Sequence, residues 1–187
     1  MLRLDDIGES DCEALEPGLL AQPINALTSL GYVVAGAIVL ALLTPQQRRG
    51  VGGLYALLLA LIGIGSVIFH GPQTPGAKFL HDAPIAALLL LIAIIIVARW
   101  RRGQTIFPGV TRRRVIALAV TGALAGLSFL SGRTESPVCD PDSPLQPHGG
   151  WHLLTSVAFV LVAALLFRPP RPPEPLPLPE AQEGRSA

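Results

Sequence analysis

The histidines are the residues with the most distinctive chemistry in this chain, and all of them lie at the ends of long apolar runs: His70, His81, His148 and His152. His148 and His152 are four residues apart and therefore share one face of a helix. Three imidazoles that leave one coordination position for water form the arrangement of a catalytic zinc ion. We therefore predict that His70, His148 and His152 bind Zn²⁺.

Asp82 lies in the first turns of an apolar run, where a carboxylate is costly and indicates a functional role. A carboxylate that does not itself bind the metal can take a proton from water, and we predict this catalytic role for Asp82. An alternative is that Asp82 caps a helix that has Pro84 in its first turn. We leave His81 out of the site, because an interfacial histidine more often orients its ring towards water.

The composition is that of a membrane protein. Of the 187 residues, 50% are hydrophobic and only 14% are charged, which is too apolar for an ordinary soluble domain. The net charge of +1 gives no indication of nucleic-acid binding. We predict an all-α integral membrane protein, a bundle of about five transmembrane helices in the apolar runs at 22–43, 51–70, 78–98, 115–130 and 148–167.

The segments outside these runs differ in composition. Residues 1–21 are acidic and lack the pattern of a cleaved signal peptide. They form an N-terminal segment that the arginine distribution, given next, predicts to be extracytoplasmic. Residues 22–168 form the predicted transmembrane helical catalytic domain. Residues 169–187 are rich in proline and predict a disordered cytoplasmic tail.

Arginine placement predicts the topology. With five spans, all the basic segments fall on one side of the membrane, namely Arg48, Arg49, Arg99, Arg101, Arg102, Arg112, Arg113, Arg114, Arg168 and Arg171. Basic residues in short loops mark the cytoplasmic side, so the N-terminus is predicted outside and the C-terminus in the cytoplasm. The predicted location is the cell (inner or plasma) membrane, with the active site towards the extracytoplasmic side.

The two cysteines, Cys12 and Cys139, fall on the predicted outer side. Two cysteines cannot complete a closed zinc site by themselves, and disulfides persist outside the cytoplasm. We predict a Cys12–Cys139 disulfide; the alternative is two free thiols.

The spacing of these residues resembles that of the alkaline ceramidases, members of the CREST superfamily of membrane hydrolases that also includes the progestin and adipoQ receptors. The resemblance rests on three features: Ser66 and His70 are four residues apart, Asp82 lies in the next span, and the last span carries a histidine pair, His148 and His152. Residues 11–13 and 22–30 are similar to the segment that leads into the first ceramidase helix. The similarity covers 11–85 and 139–160.

This resemblance implies a zinc-dependent hydrolase that splits ceramide, within the membrane, into a sphingoid base and a fatty acid. It implies the ligands, the catalytic aspartate and the disulfide that are predicted above, namely His70, His148, His152, Asp82 and Cys12–Cys139. It also implies that Ser66 steadies the metal site or the developing oxyanion. On the residues alone, Ser66 could instead bond a backbone carbonyl one turn back. The family also binds Ca²⁺ near its N-terminus, which implies Asp11 and Glu13 as ligands here, although Gln22 stands where an acidic residue is usual.

The chain departs from the family in its number of spans. The family has seven, whereas residues 99–147 leave room for only one span before the last. With two helices fewer, a lipid cavity would be less enclosed and could accept another lipid amide or an ester. Competing interpretations are a non-catalytic, receptor-like membrane protein with a structural three-histidine zinc site, and a metal transporter, which is disfavoured because the spans lack a polar path to the cytoplasmic side.

Overall fold

A computed structural model describes residues 8–168 of the chain. The predicted disordered tail, 169–187, lies outside the described residues, as do residues 1–7. The described part contains a short helix, α2 (Pro45–Arg48), and five long ones, α1 (Pro23–Leu42), α3 (Val51–His70), α4 (Ala77–Arg101), α5 (Arg112–Ser131) and α6 (Pro147–Phe167). All five long helices are long and apolar enough to cross a membrane, which confirms the predicted all-α architecture.

The five long helices form an open arc. Helix α1 packs between α3 and α6, while α4 packs on the far side of α3 and α5 on the far side of α6. The two ends of this arc, α4 and α5, do not pack against each other. Much of their surface is accordingly exposed and aliphatic, as expected for helices in contact with lipid.

The apolar core runs along α1, α3, α4 and α6. It is built from one stripe of each helix, with the side chains of Val39, Leu59, Leu88 and Leu166 almost fully buried. Buried hydroxyl groups are satisfied within it: Tyr55 donates a 2.8 Å hydrogen bond to the carbonyl of Phe159.

Helices α3 and α4 approach each other closely at Gly65. A methyl group on Gly65 would collide with the carbonyl of Leu80. That carbonyl has no donor within its own helix, because the residue four positions later is Pro84 and lacks an N–H group. Glycine therefore lets α3 pack against the point at which proline interrupts the hydrogen bonding of α4.

Arginines at one end of the bundle bind the open end of α6. Arg99 donates a 2.9 Å hydrogen bond to the carbonyl of Leu166, and Arg114 donates a 2.8 Å hydrogen bond to the carbonyl of Arg168. The last carbonyls of a helix have no partner inside it, and cations are favourable at this end of its dipole. This end lies opposite the histidines, as the sequence predicts; which side of the membrane it faces stays a prediction.

The segment before α1 is fixed across the other end of the bundle. The predicted disulfide between Cys12 and Cys139 is confirmed, with 5.5 Å between the Cα atoms. The N–H of Cys12 donates to the carbonyl of Gly132, at 2.8 Å. The loop between α5 and α6 is thereby joined to the N-terminal segment directly above the ends of α3 and α6.

Candidate metal centre

Three histidines meet at the end of the bundle covered by the N-terminal segment. His70 ends α3, while His148 and His152 lie in the first two turns of α6, and all three are buried. Each offers one ring nitrogen such that the three nitrogens lie within 4.8 Å of one another. The predicted convergence of these residues is therefore present, and the group could hold a metal ion.

Helical periodicity brings the histidines to one point. On α6, His148, His152 and Thr155 follow at spacings of four and three residues and face the centre of the arc. On α3, Ser66 and His70 are one turn apart and buried in the same direction. Helix α1 completes the arrangement with a polar stripe of its own, formed by Asn25, Ser29 and Tyr32.

Hydrogen bonds from the start of α1 fix the ring of His70. Nδ1 of His70 lies 2.7 Å from Oε1 of Gln22, and Nε2 of Gln22 donates to the carbonyls of Gly8 and Glu13 at 3.0 and 2.9 Å. Because the amide nitrogen is committed to two acceptors, Oε1 must accept and Nδ1 of His70 must carry the proton. Nε2 of His70 is left with a free lone pair, which is what a metal ligand requires.

The same logic applies to His152. Its Nδ1 lies 3.2 Å from Oγ of Thr28 and 3.3 Å from Oγ of Ser29, and each of these hydroxyls donates its own proton to a backbone carbonyl of α1. Both hydroxyls can therefore only accept from His152, which places the ring proton on Nδ1 and the lone pair on Nε2.

Within residues 8–168, the buried Nε2 atoms of His70 and His152 have no hydrogen-bond partner, and neither does Nδ1 of His148. A buried polar atom without a partner is costly, so such atoms require an explanation. On His70 and His152 the tautomer leaves the lone pair on Nε2, and both lone pairs face the same small space. Imidazole nitrogens arranged in this way are the ligands of a histidine metal site. The residues present thus fit a metal ion.

Asp11 approaches this cluster from the N-terminal segment. Its Oδ1 lies 3.3 Å from Nδ1 of His148, and its Oδ2 lies 4.0 Å from Nδ1 of His70. Arg133 donates to Oδ1 of Asp11 at 2.9 Å. Burial raises the pKa of the Asp11 carboxyl to about 6, although the Arg133 guanidinium acts in the opposite direction.

Asp82 lies at the side of the site and at the mouth of the cavity. Helix α4 begins at Ala77, so the alternative that Asp82 caps this helix is wrong. The carboxylate of Asp82 is about half exposed and binds Nζ of Lys78 at 2.8 Å and Nδ1 of His81 at 2.7 Å. His81 in turn packs on the ring of Phe69, and it is not one of the three converging histidines.

Ser66 lies behind the imidazoles. Its hydroxyl is 2.8 Å from that of Ser29, whose proton is committed to the carbonyl of Asn25, so Ser66 donates to Ser29. Through Ser29 it is connected to Nδ1 of His152. Of the sequence alternatives, this arrangement favours support of the metal site over a bond to the backbone one turn back.

The two residues predicted to bind calcium have different partners. Both carboxylate oxygens of Glu13 accept backbone N–H groups at the start of α1, from Ile24 at 2.6 Å and from Asn25 at 2.8 Å. Glu13 thereby caps the helix, which favours an anion at its N-terminus. Asp11 faces Arg133 and the histidines instead. The calcium site stays a prediction.

A cavity of about 560 Å³ leads away from the histidines. Asp82, Lys78 and Arg133 line it near the metal centre, and Ile85, Leu89 and Phe159 line the part deeper in the bundle. Helices α4 and α5 stand on opposite sides of this space and do not pack together, so no described helix closes the cavity between them.

The residues that support the histidines are not among the predicted site residues. The sequence predicts no contact of Gln22 or Arg133 with the histidines. Thr28 and Ser29 do carry a signal, because polar residues within an apolar run indicate that this helix face meets other polar groups.

The fold and site define a multi-pass, all-α membrane protein with a buried three-histidine cluster that could bind a metal ion. Comparisons with protein-family models, with curated proteins and with solved structures found no match to this chain.

Proposed function

We propose that this protein is a zinc-dependent hydrolase of membrane lipid amides, of the alkaline ceramidase type. One observation carries the proposal: the buried Nε2 atoms of His70 and His152 have no partner among the described residues and lie, together with a ring nitrogen of His148, around one space beside a cavity. His70, His148 and His152 would hold the zinc ion, which would supply a Lewis acid for the amide carbonyl and a bound water with a pKa of about 7.

Asp82 is the proposed proton carrier of the reaction. Its carboxylate lines the same cavity as the histidines and accepts the proton of the attacking water. The water oxygen bonds to the amide carbon, the C–N bond breaks, and Asp82 returns the proton to the leaving nitrogen. The products are a carboxylic acid and an amine. Lys78 and His81 keep this carboxylate oriented towards the mouth of the cavity.

Ser66 is the proposed support of the metal centre. It acts through Ser29 on His152, because its hydroxyl is almost completely buried behind the imidazoles. Replacing it by alanine removes the donor to Ser29 and loosens the ring that supplies one of the three ligand nitrogens.

The shape of the cavity supports a lipid substrate such as ceramide. Its polar end holds the histidines, where an amide carbonyl and headgroup hydroxyls can bind, and its deeper part is aliphatic and aromatic. Because α4 and α5 leave the cavity open between them, acyl chains can enter from the bilayer without leaving the apolar phase. The same openness accommodates other lipid amides and esters.

The test is turnover of fluorescent ceramide by purified protein in detergent micelles or vesicles. We expect release of the fluorescent fatty acid, its loss with a zinc chelator, and recovery when Zn²⁺ is restored. Asp82→Asn is expected to lower the rate by roughly 10²–10⁴-fold while zinc stays bound. Asp142→Asn, an exposed carboxylate in the loop before α6, is the matched control and should hydrolyse normally.

A receptor-like protein with a structural zinc site is the second candidate. It is favoured by one observation: both oxygens of Asp82 already have hydrogen-bond partners, Lys78 and His81. Zinc retained with no turnover of ceramide, of other acyl amides or of acyl esters would support this candidate and exclude the hydrolase.

A further inference from the structure

Each of the three histidines has an oxygen atom next to its Nδ1. For His70 and His152 this oxygen belongs to a neutral group, the amide of Gln22 and the hydroxyls of helix α1. For His148 it belongs to a carboxylate, Oδ1 of Asp11 at 3.3 Å. This 3.3 Å separation is an ion-pair distance, and Nδ1 of His148 has no hydrogen-bond partner among the described residues. Oδ2 of the same carboxylate lies farther, at 4.0 Å, from Nδ1 of His70, which Gln22 already binds.

We propose that Asp11 is a positioning residue of the metal centre and acts through His148. A carboxylate behind a metal-binding imidazole holds the proton on the remote nitrogen, orients the ring and makes the other nitrogen a stronger donor. This role differs from that of a calcium ligand. It rests on the proposed metal site but not on the hydrolytic activity.

The structure holds Asp11 rigidly for this task. The side chain is 6% exposed, and Arg133 donates to it at 2.9 Å. The backbones of Asp11 and Arg133 pair in an antiparallel bridge, and the next residue, Cys12, is joined to Cys139. The carboxylate is thus fixed by an ion pair, a backbone pairing and a covalent bond within two positions of the chain.

His148 is the ligand that most needs such support. It is the second residue of α6, where the chain has just left a long loop. The guanidinium of Arg133 lies over the ring of Phe129, 5.2 Å from its centroid, and that ring lies 6.1 Å from His148. A side chain on Gly132 would collide with the backbone of His148. Asp11, Arg133 and Phe129 therefore surround one imidazole.

The experiment measures zinc affinity by competition with a chromophoric chelator. We expect Asp11→Asn to bind Zn²⁺ about 10- to 100-fold more weakly than the wild type, the effect typical of losing an outer partner of a metal ligand. Arg133→Gln leaves the carboxylate but removes its clamp, and it should weaken binding by a smaller factor. Asp140→Asn, an exposed carboxylate next to the same disulfide, should bind like the wild type.

A cobalt-substituted sample distinguishes positioning from direct coordination. The intensity of the visible d–d bands of Co²⁺ reports its coordination number. In Asp11→Asn these bands should keep the wild-type intensity, while the affinity for the metal falls. A changed coordination number would show Asp11 to be a direct ligand and overturn the proposal, as would wild-type affinity in a folded Asp11→Asn. If that variant does not fold, wild-type affinity in Arg133→Gln overturns it.

The outcome is separable from that of the proposed hydrolysis. Weaker zinc binding in Asp11→Asn, in a protein that cleaves no lipid, would leave this inference standing and remove the proposed function. Failure of the wild-type protein to bind any divalent metal would remove both.

Discussion

Nδ1 of His70, at the end of α3, lies 2.7 Å from Oε1 of Gln22, the residue immediately before α1. One amide side chain thus joins the three-histidine cluster to the N-terminal segment, because its nitrogen also donates to the carbonyls of Gly8 and Glu13. The metal centre and the N-terminal segment are therefore expected to depend on each other.

Replacing Gln22 by leucine tests this connection. Gln22→Leu keeps the volume but removes the acceptor that holds the proton on Nδ1 of His70. We expect zinc affinity to fall by about 10- to 100-fold and thermal stability to fall as well, because two buried carbonyls lose their donor. Chelator competition and a thermal melt in detergent measure the two effects.

The matched control for this variant is Gln47→Leu. Gln47 also donates to a backbone carbonyl, that of Phe167, but at the opposite end of the bundle. It should lose a little stability and keep wild-type zinc affinity. Equal loss of affinity in both variants would show that the effect is general destabilisation.

Reduction of the Cys12–Cys139 disulfide should weaken metal binding. The disulfide holds the segment that carries Asp11 above the histidines. We expect treatment with a phosphine reductant, and the double variant Cys12→Ala/Cys139→Ala, to lower zinc affinity by roughly 10-fold, since both remove a constraint on an outer partner of a ligand. Further loss when the reductant is added to the double variant would show that the reductant acts on the metal rather than on the disulfide.

Packing of α3 against α4 should be intolerant of a single methyl group at Gly65. Gly65→Ala meets the carbonyl of Leu80 and forces the helices apart, at a cost of about 1–3 kcal/mol. Gly126 is also a glycine within a membrane helix, yet no atom outside its own turn of helix lies within 4 Å of the position that a Cβ would occupy. Gly126→Ala should therefore melt at or slightly above the wild-type temperature, and a similar melting temperature for both variants would contradict the close helix contact.

The predicted orientation can be tested by chemical labelling of the wild-type protein, because Lys78 is the only lysine in the chain. Its ammonium group is exposed at the histidine end of the bundle. A membrane-impermeant amine reagent added to intact cells should modify Lys78, as determined by peptide mass spectrometry, if that end faces outside. Modification only after the cells are opened would show that this end faces the cytoplasm and would contradict the predicted orientation. The variant Lys78→Arg, which should not be labelled at this position, controls for the identity of the labelled peptide.

The five spans and the shared face of His148 and His152 could be predicted from local periodicity, and an alternating five-span topology then put His70 at the same end of the bundle. A run of about 20 apolar residues fixes a membrane helix, and the spacing of His148 and His152 fixes their common face. The first and last residues of the helices were less predictable. Helix α5 begins at Arg112, before its apolar run, because the side chain of Thr111 accepts the N–H of Arg114 and caps the helix. Likewise α4 extends to Arg101 beyond the apolar positions.

The supporting residues could not be predicted because they are joined only through the tertiary structure. Asp11 and Arg133 are 122 residues apart, and neither lies in a periodic pattern. Gln22 precedes its helix, so no face of that helix predicts the direction of its side chain. The contact of Asp82 with Lys78 differs from these, because both residues lie in the predicted span at 78–98 and are four residues apart, so local spacing alone is compatible with it.

We expect His70, His148 and His152 to hold one metal ion together. Zinc K-edge X-ray absorption on the purified protein, combined with elemental analysis, tests it directly. We expect one zinc per chain with three imidazole nitrogens at about 2.0–2.1 Å, and loss of the metal in His70→Ala and in His152→Ala. Protein that takes up no divalent metal, or zinc with fewer than three imidazoles that persists in these variants, would contradict the claim.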